Sequence, residues 1–192
     1  ATGVVLVEPL LQHCIYEDER VQYLHSKIAD LPFEPGTFTH VLIECRCVIQ
    51  SDLEAVFSTA KAMLEPDGKL IVNEPIILSK SSLPRILGRM IGDTRLNEVV
   101  HQRTAMEIGI EMANAELEIL HGQSEPEVTQ RLLDKMNQVS MMLKMALRFS
   151  SFDPYSEDFP FTKKELLKAF DEFKSALDDE TFGWHSWLAT PT

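Results

Sequence analysis

The sequence has 192 residues, of which 44% are hydrophobic and 25% charged. That is the balance of one globular domain, long enough to bury a core without disulfides or a structural metal. Eighteen Lys and Arg against thirty Asp and Glu leave a net charge of −12, a field that repels a phosphate backbone and argues against nucleic acid as a partner. Three Cys are too few for a disulfide framework, which implies a reducing, cytoplasmic setting. No apolar run reaches the roughly 20 residues of a membrane span. The first apolar stretch lacks the basic flank of a signal peptide.

The first third alternates strands with turns and a helix. Val4-Val5-Leu6-Val7, closed by Glu8-Pro9, is a continuous apolar run of the kind found in strands buried on both faces. Val21-Gln22-Tyr23-Leu24 predicts a second strand, and Asp30 to Gly36 a turn with two Pro and a Gly. Phe38 to Val48 predicts a third strand. Ser51 or Asp52 is placed to N-cap a helix carrying Leu53, Val56, Phe57, Ala60 and Met63-Leu64 at helical spacing. Pro66-Asp67-Gly68 ends it, and Lys69 to Asn73 predicts a fourth strand. A helix between two strands is the βαβ unit, so the four strands are expected as parallel neighbours.

From Leu83 to Phe149 the pattern turns helical. Leu96, Val99, Val100, Met106, Ile110, Ala113, Leu117 and Leu120 recur at steps of three and four, predicting one long helix that stops at His121-Gly122. Ser124-Glu125-Pro126-Glu127 predicts the next start, with Ser124 as N-cap and Glu127 completing a capping box. Val128, Leu132, Met136, Val139, Leu143 and Ala146 continue its apolar face. We expect residues 83–149 to be a helical insertion within a single α/β domain spanning 1–192, serving as a cap or as the contact for a homodimer or protein partner. Thr162 to Glu165 predicts another capping box and helix, and Phe182 to Thr190 a closing strand.

The segment Ala29 to Pro75 carries the most specific signal. Asp30-Leu31-Pro32-Phe33, Gly36-Thr37-Phe38-Thr39, His40 through Leu64, Leu64-Glu65-Pro66-Asp67-Gly68 and Asn73-Glu74-Pro75 resemble, in order and spacing, the class I S-adenosylmethionine-dependent methyltransferases, in particular their small-molecule branch. Gly183 to Thr190 looks like the last strand of that fold. The resemblance implies a Rossmann-like, mostly parallel sheet covered by helices, with an antiparallel final strand. It also implies S-adenosylmethionine as cofactor and a small-molecule substrate. By the same resemblance Glu8 would accept from both ribose hydroxyls, the Lys27-Ile28-Ala29 backbone would flank adenine, and Glu44 would face the reacting groups.

Two departures qualify the pattern. Lys27 stands where the family places an acceptor for the adenine amine, and a lysine has only donors. The family's glycine-rich loop after its first strand has no counterpart in this sequence, whose first residue is Ala1 and not Met; that loop is expected upstream. Two functional classes follow: a methyltransferase acting on a small molecule, or a methyltransferase-like domain that has lost catalysis and serves as scaffold, regulator or partner subunit. No metal site is expected. Cys45 and Cys47 share one strand face, and with Cys14 they read as buried thiols and not as zinc ligands. Met136, Met141, Met142, Met145 and Phe149 suit a helix-packing core better than a substrate pocket.

Overall fold

The computed structural model describes residues 3–6, 21–24, 31–45, 47, 50–78, 101, 103–149 and 163–192. Strands β1 (Gly3–Leu6) and β2 (Val21–Leu24) pair in parallel, from Gly3↔Val21 to Leu6↔Leu24. A four-stranded sheet contains β3 (Phe38–Glu44), β4 (Leu64–Ile77), β5 (Leu117–Ser124) and β6 (Phe182–Pro191) in the order β3-β4-β6-β5. β3 and β4 are parallel, and β6 is antiparallel to both β4 and β5. The mixed α/β class and the antiparallel last strand agree with the sequence. The single row of four parallel neighbours is corrected: among the described residues the two parallel pairs lie in separate sheets. Apolar runs specify burial on both faces, but they do not specify which strand lies beside which.

The βαβ unit forms as its residues dictate. Asp52 caps helix α1 (Leu53–Met63), its side chain accepting from the Ala55 amide at 2.9 Å. α1 buries Leu53, Val56, Phe57 and Ala60, the expected spacing. β4 then begins at once with Leu64 and carries the chain through Pro66-Asp67-Gly68. Gly68 is required there, since a Cβ would lie 2.9 Å from the Glu65 carbonyl oxygen and from a Leu64 methyl. Leu70, Val72 and Ile76 alternate toward α1 and are fully or almost fully buried.

Helix α2 (Ala105–Asn114) opens on a capping box. Thr104 Oγ1 accepts from the Glu107 amide at 3.2 Å, and the Glu107 carboxylate accepts from the Thr104 amide at 2.7 Å. The long helix predicted to run through Leu120 is corrected here. α2 stops at Asn114, Glu116 takes a positive φ of 56°, and Leu117 to Ser124 form β5. Leu117 and Leu120 keep helical spacing by coincidence. What decides is the pairing of β5 with β6, which satisfies the backbone from Leu117 to Ser124. Residues 83–149 are therefore not a strand-free helical segment.

Helices α3 (Pro126–Phe149) and α4 (Lys163–Asp178) lie between β5 and β6 in sequence and pack on each other, whereas α2 packs on α1 and β5. Pro126 occupies the first position of α3, as expected. Ser124 does not cap it, because it is the last residue of β5 and its hydroxyl lies 3.4 Å from His185 Nδ1. Two cores result. The large one joins α1 and α2 to one face of the sheet through Phe57, Leu70, Val72, Ile108, Met112 and Trp187. The small one holds Leu133, Leu177 and Phe182, with Leu132, Met136 and Ala176 against it. Met141, Met142 and Met145 are exposed, so the packing role expected of them is corrected.

Candidate functional site

Strand directions bring the chemistry to one edge. β5 is antiparallel to β6, which is antiparallel to β4, so β3, β4 and β5 run the same way. Their carboxyl ends share an edge, where open α/β sheets place ligands. α3 starts two residues after β5, and α4 feeds β6, whose first residue Phe182 pairs with Ile77 near the end of β4. The α3–α4 pair is thus rooted at this edge at both ends. The Glu125 amide donates to the Trp184 carbonyl at 2.8 Å, and the Trp184 amide donates to Thr129 Oγ1 at 3.2 Å. The Leu78 amide donates to the Thr181 carbonyl at 3.0 Å.

Cross-strand partners point to the same face of a sheet. Register places Glu44 beside Asn73, Asn73 beside Ser186, and Ser186 beside Gln123. A polar row therefore crosses all four strands, on the face opposite Val72 and Trp187. Glu44 and Gln123 are exposed, and Asn73 and Ser186 are half-buried. Gln123 Nε2 donates to Glu125 Oε1 at 2.8 Å, and His121 Nε2 lies 3.0 Å from Gln123 Oε1. Hydrogen bonds from Gln123 and then Ser186 hold the Glu125 carboxyl below its ordinary range, with His185 and His121 adding smaller attractions. Among the described residues Glu44 makes no hydrogen bond through its carboxylate, which leaves an acceptor-only group available at the end of β3.

On the core face of the same edge stands Glu74, fully buried. It hydrogen-bonds the Cys47 thiol, and burial first, then the Glu74 charge, push that thiol well above its ordinary pKa. Cys45, expected as a buried strand thiol, instead lies past the end of β3 and is exposed, because its φ of 54° turns the chain there; partial desolvation of its sulfur, then Glu74 and Glu44, still raise its pKa. Both cysteines are free and stay protonated at neutral pH, so neither supplies a nucleophilic thiolate. His185, Cα partner of Glu74, packs against Trp187 with ring centroids 4.3 Å apart and the rings tilted by 45°. Burial lowers its pKa, and Glu125 opposes the shift. Gly122 makes room for this ring pair, since a Cβ would lie 3.1 Å from Trp187 Cδ1 and 3.4 Å from His185 Nε2.

Glu44 is the last residue of β3, at this edge. Glu8, Lys27, Ile28 and Ala29 lie outside the described residues, as does Cys14. Reasoning from sequence missed Asn73, Ser186, Gln123 and Glu125. The first opens the Asn73-Glu74-Pro75 piece of the family resemblance, Ser186 reaches the site through the pairing of β6 with β4, and Gln123 and Glu125 reach it through the pairing of β5 with β6. A groove on the helical pair, lined by Asn137, Ser140, Met141, Lys144, Met145, Asp171 and Lys174, starts about 16 Å along α3 from its first residue. It is separate from the strand ends. Among the described residues no group of His, Cys, Asp and Glu is arranged to hold a metal ion, and no helix is long and apolar enough to cross a membrane.

Comparison with known proteins bears on this edge. Residues 1–72 match the methyltransferase domain family, the stretch that ends at the carboxyl half of β4. None of the curated proteins matches the sequence. Among solved structures, a phosphoethanolamine N-methyltransferase 2 from Haemonchus contortus in complex with S-adenosyl-L-methionine is similar with a TM-score of 0.66 and 15% identity, over 91% of this chain and 38% of that one. The [4+2]-cyclase SpnF is similar at 0.65 and 16% identity, over 90% and 56%. A geranyl diphosphate C-methyltransferase from Streptomyces coelicolor A3(2) is similar at 0.60 and 16% identity, over 91% and 54%. The chain therefore spans between 38% and 56% of the length of these structures. The resemblance read in residues 29–75 agrees with the methyltransferase domain match over residues 1–72, and the fold is shared with these structures.

Proposed function

We propose that the protein is an S-adenosylmethionine-dependent methyltransferase acting on a small molecule. The observation that carries this reading is the polar row Glu44–Asn73–Ser186–Gln123 at the shared carboxyl edge, where the α3–α4 pair is also rooted. The cofactor, when bound, supplies a methyl group on a sulfonium for in-line displacement. Such a transfer calls for positioning and exclusion of water more than for acid–base groups. Glu8 would accept from the ribose hydroxyls, the Lys27-Ile28-Ala29 backbone would flank adenine, and Glu44 would face the methyl acceptor. Asn73, Ser186 and Gln123 would orient the acceptor's polar groups, and α3–α4 would cap it. A cytoplasmic setting accompanies this reading, and the free thiols Cys45 and Cys47 support it.

Titration calorimetry with S-adenosylhomocysteine tests the proposal. Binding is expected, and Glu8→Ala should weaken it at least about tenfold, because each charge-assisted hydrogen bond contributes roughly 1.5–3 kcal/mol. Unchanged affinity would remove Glu8 from the site, and no binding by the full-length protein would overturn the reading.

A second reading, a non-catalytic scaffold, regulator or partner subunit, draws support from two observations. Lys27 cannot accept from an adenine amine. Met141, Met142 and Met145 also leave an apolar surface on α3 open to a homodimer or protein partner. The fold alone does not fix the activity, since a [4+2]-cyclase shares it. Binding without methyl transfer to any acceptor, together with self-association in sedimentation, would favour the second.

A further inference from the structure

Arg103 lies between β4 and α2 and ties two exits of the sheet together. Its carbonyl accepts from the Ile77 amide at 2.9 Å, at the end of β4. Its guanidinium reaches the connection between β3 and α1, more than fifty residues earlier in sequence. Nη1 donates to the Cys47 carbonyl, and Nη2 donates to the carbonyls of Gln50 at 2.7 Å and Ser51 at 3.3 Å. One side chain thus serves three main-chain acceptors. Only the planar five-donor fork of arginine presents that geometry, and a lysine ammonium cannot reproduce it. The stretch it serves begins at Cys45, whose φ of 54° turns the chain sharply after Glu44. The Cys45 amide donates to the Asn73 carbonyl at 3.1 Å, so the turn is fastened to β4 on one side and by Arg103 on the other.

We propose that Arg103 is the positioning residue of this site, its guanidinium fixing the β3–α1 connection so that Glu44 and the Cys45 turn stay at the ligand-facing edge beside Asn73. The proposal rests on the methyltransferase reading above. Arg103 acts through the loop and touches no ligand itself.

The test measures S-adenosylhomocysteine affinity of the full-length protein by calorimetry, at a temperature where every variant is folded, alongside hydrogen exchange of the peptide from Glu44 to Leu53. Arg103→Lys should weaken binding about tenfold, the effect of roughly one charge-assisted hydrogen bond, and should speed exchange in that peptide. Met112→Ala, which opens the large core under α2, should lower the melting temperature while leaving affinity within about twofold of the parent. Methylguanidinium added to Arg103→Ala should restore part of the lost affinity, which a purely structural loss would not allow. An unchanged affinity in Arg103→Lys, an equal loss in Met112→Ala, or no rescue would each overturn the inference. If the unsubstituted protein does not bind at all, the methyltransferase reading fails. That failure is distinguishable, because exchange in the 44–53 peptide would still rise in Arg103→Lys.

Discussion

The sheet backed by α1 and α2 and the α3–α4 pair are built to different standards. Behind the sheet, Phe57, Leu70, Val72, Ile108 and Met112 are at or near full burial in one continuous core. The helical pair rests on Leu133, Leu177 and Phe182, and its outer half leaves three methionines in water. The ion pair that joins the outer halves, Lys144 to Asp171 at 3.3 Å, is exposed on both sides and adds little. The candidate site lies where the two regions meet. A rigid floor and a lightly anchored arm suit a pocket that must hold a ligand in place and also admit it.

Three substitutions test that contrast, the largest effect first. Phe57→Ala should destabilise the whole fold by about 3–5 kcal/mol, the usual range for a fully buried aromatic, seen as a fall in the midpoint of urea unfolding. Leu177→Ala should cost about 2 kcal/mol, at the low end for leucine because the small core can collapse around the gap. Its signature is local: amide exchange should rise in α3 and α4 while β3, β4 and α1 stay protected. A uniform rise across both regions would show that they are one cooperative unit.

The smallest effect concerns pH. Burial lowers the pKa of His185 below its ordinary 6.5, so below that value the unfolded chain binds more protons at this position than the folded one. The stability supplied by the neutral ring is complete above 6.5 and declines as pH falls through the window beneath it. Glu125 moderates the loss. Melting temperature should therefore drop more between about pH 7.5 and about pH 5.5 in the parent than in His185→Gln. Equal drops would show that His185 keeps its ordinary affinity for a proton.

Much of the floor is legible in the sequence. Asp52 followed by Leu53, Val56, Phe57 and Ala60 is a capped amphipathic helix on local grounds alone. The runs from Leu70 to Val72 and from Phe182 to Thr190 carry apolar, extended character. β5 is hidden because Leu117 and Leu120 keep step with α2, and only pairing with β6, more than sixty residues later, makes the segment a strand. Helical periodicity marks 83–149, but the helices that stand apart from the sheet's core are those after β5. Arg103 is invisible to pattern reading, since its value lies in three carbonyls that the fold brings to it.

The order β3-β4-β6-β5 has a consequence for synthesis. Among the described strands β5 has a single partner, β6, which is the last of them. As the chain leaves the ribosome, β3, α1 and β4 can assemble, because each lies near the next in sequence. β5 then waits, unpaired, through the 57 residues from 125 to 181 until β6 inserts between it and β4. During that interval its backbone is an open template for other chains. Loss of the residues from Phe182 onward would therefore remove two strands of the sheet and not one. It would also strip Ser186 and Gln123 from the polar row, leaving only Glu44 and Asn73 in place.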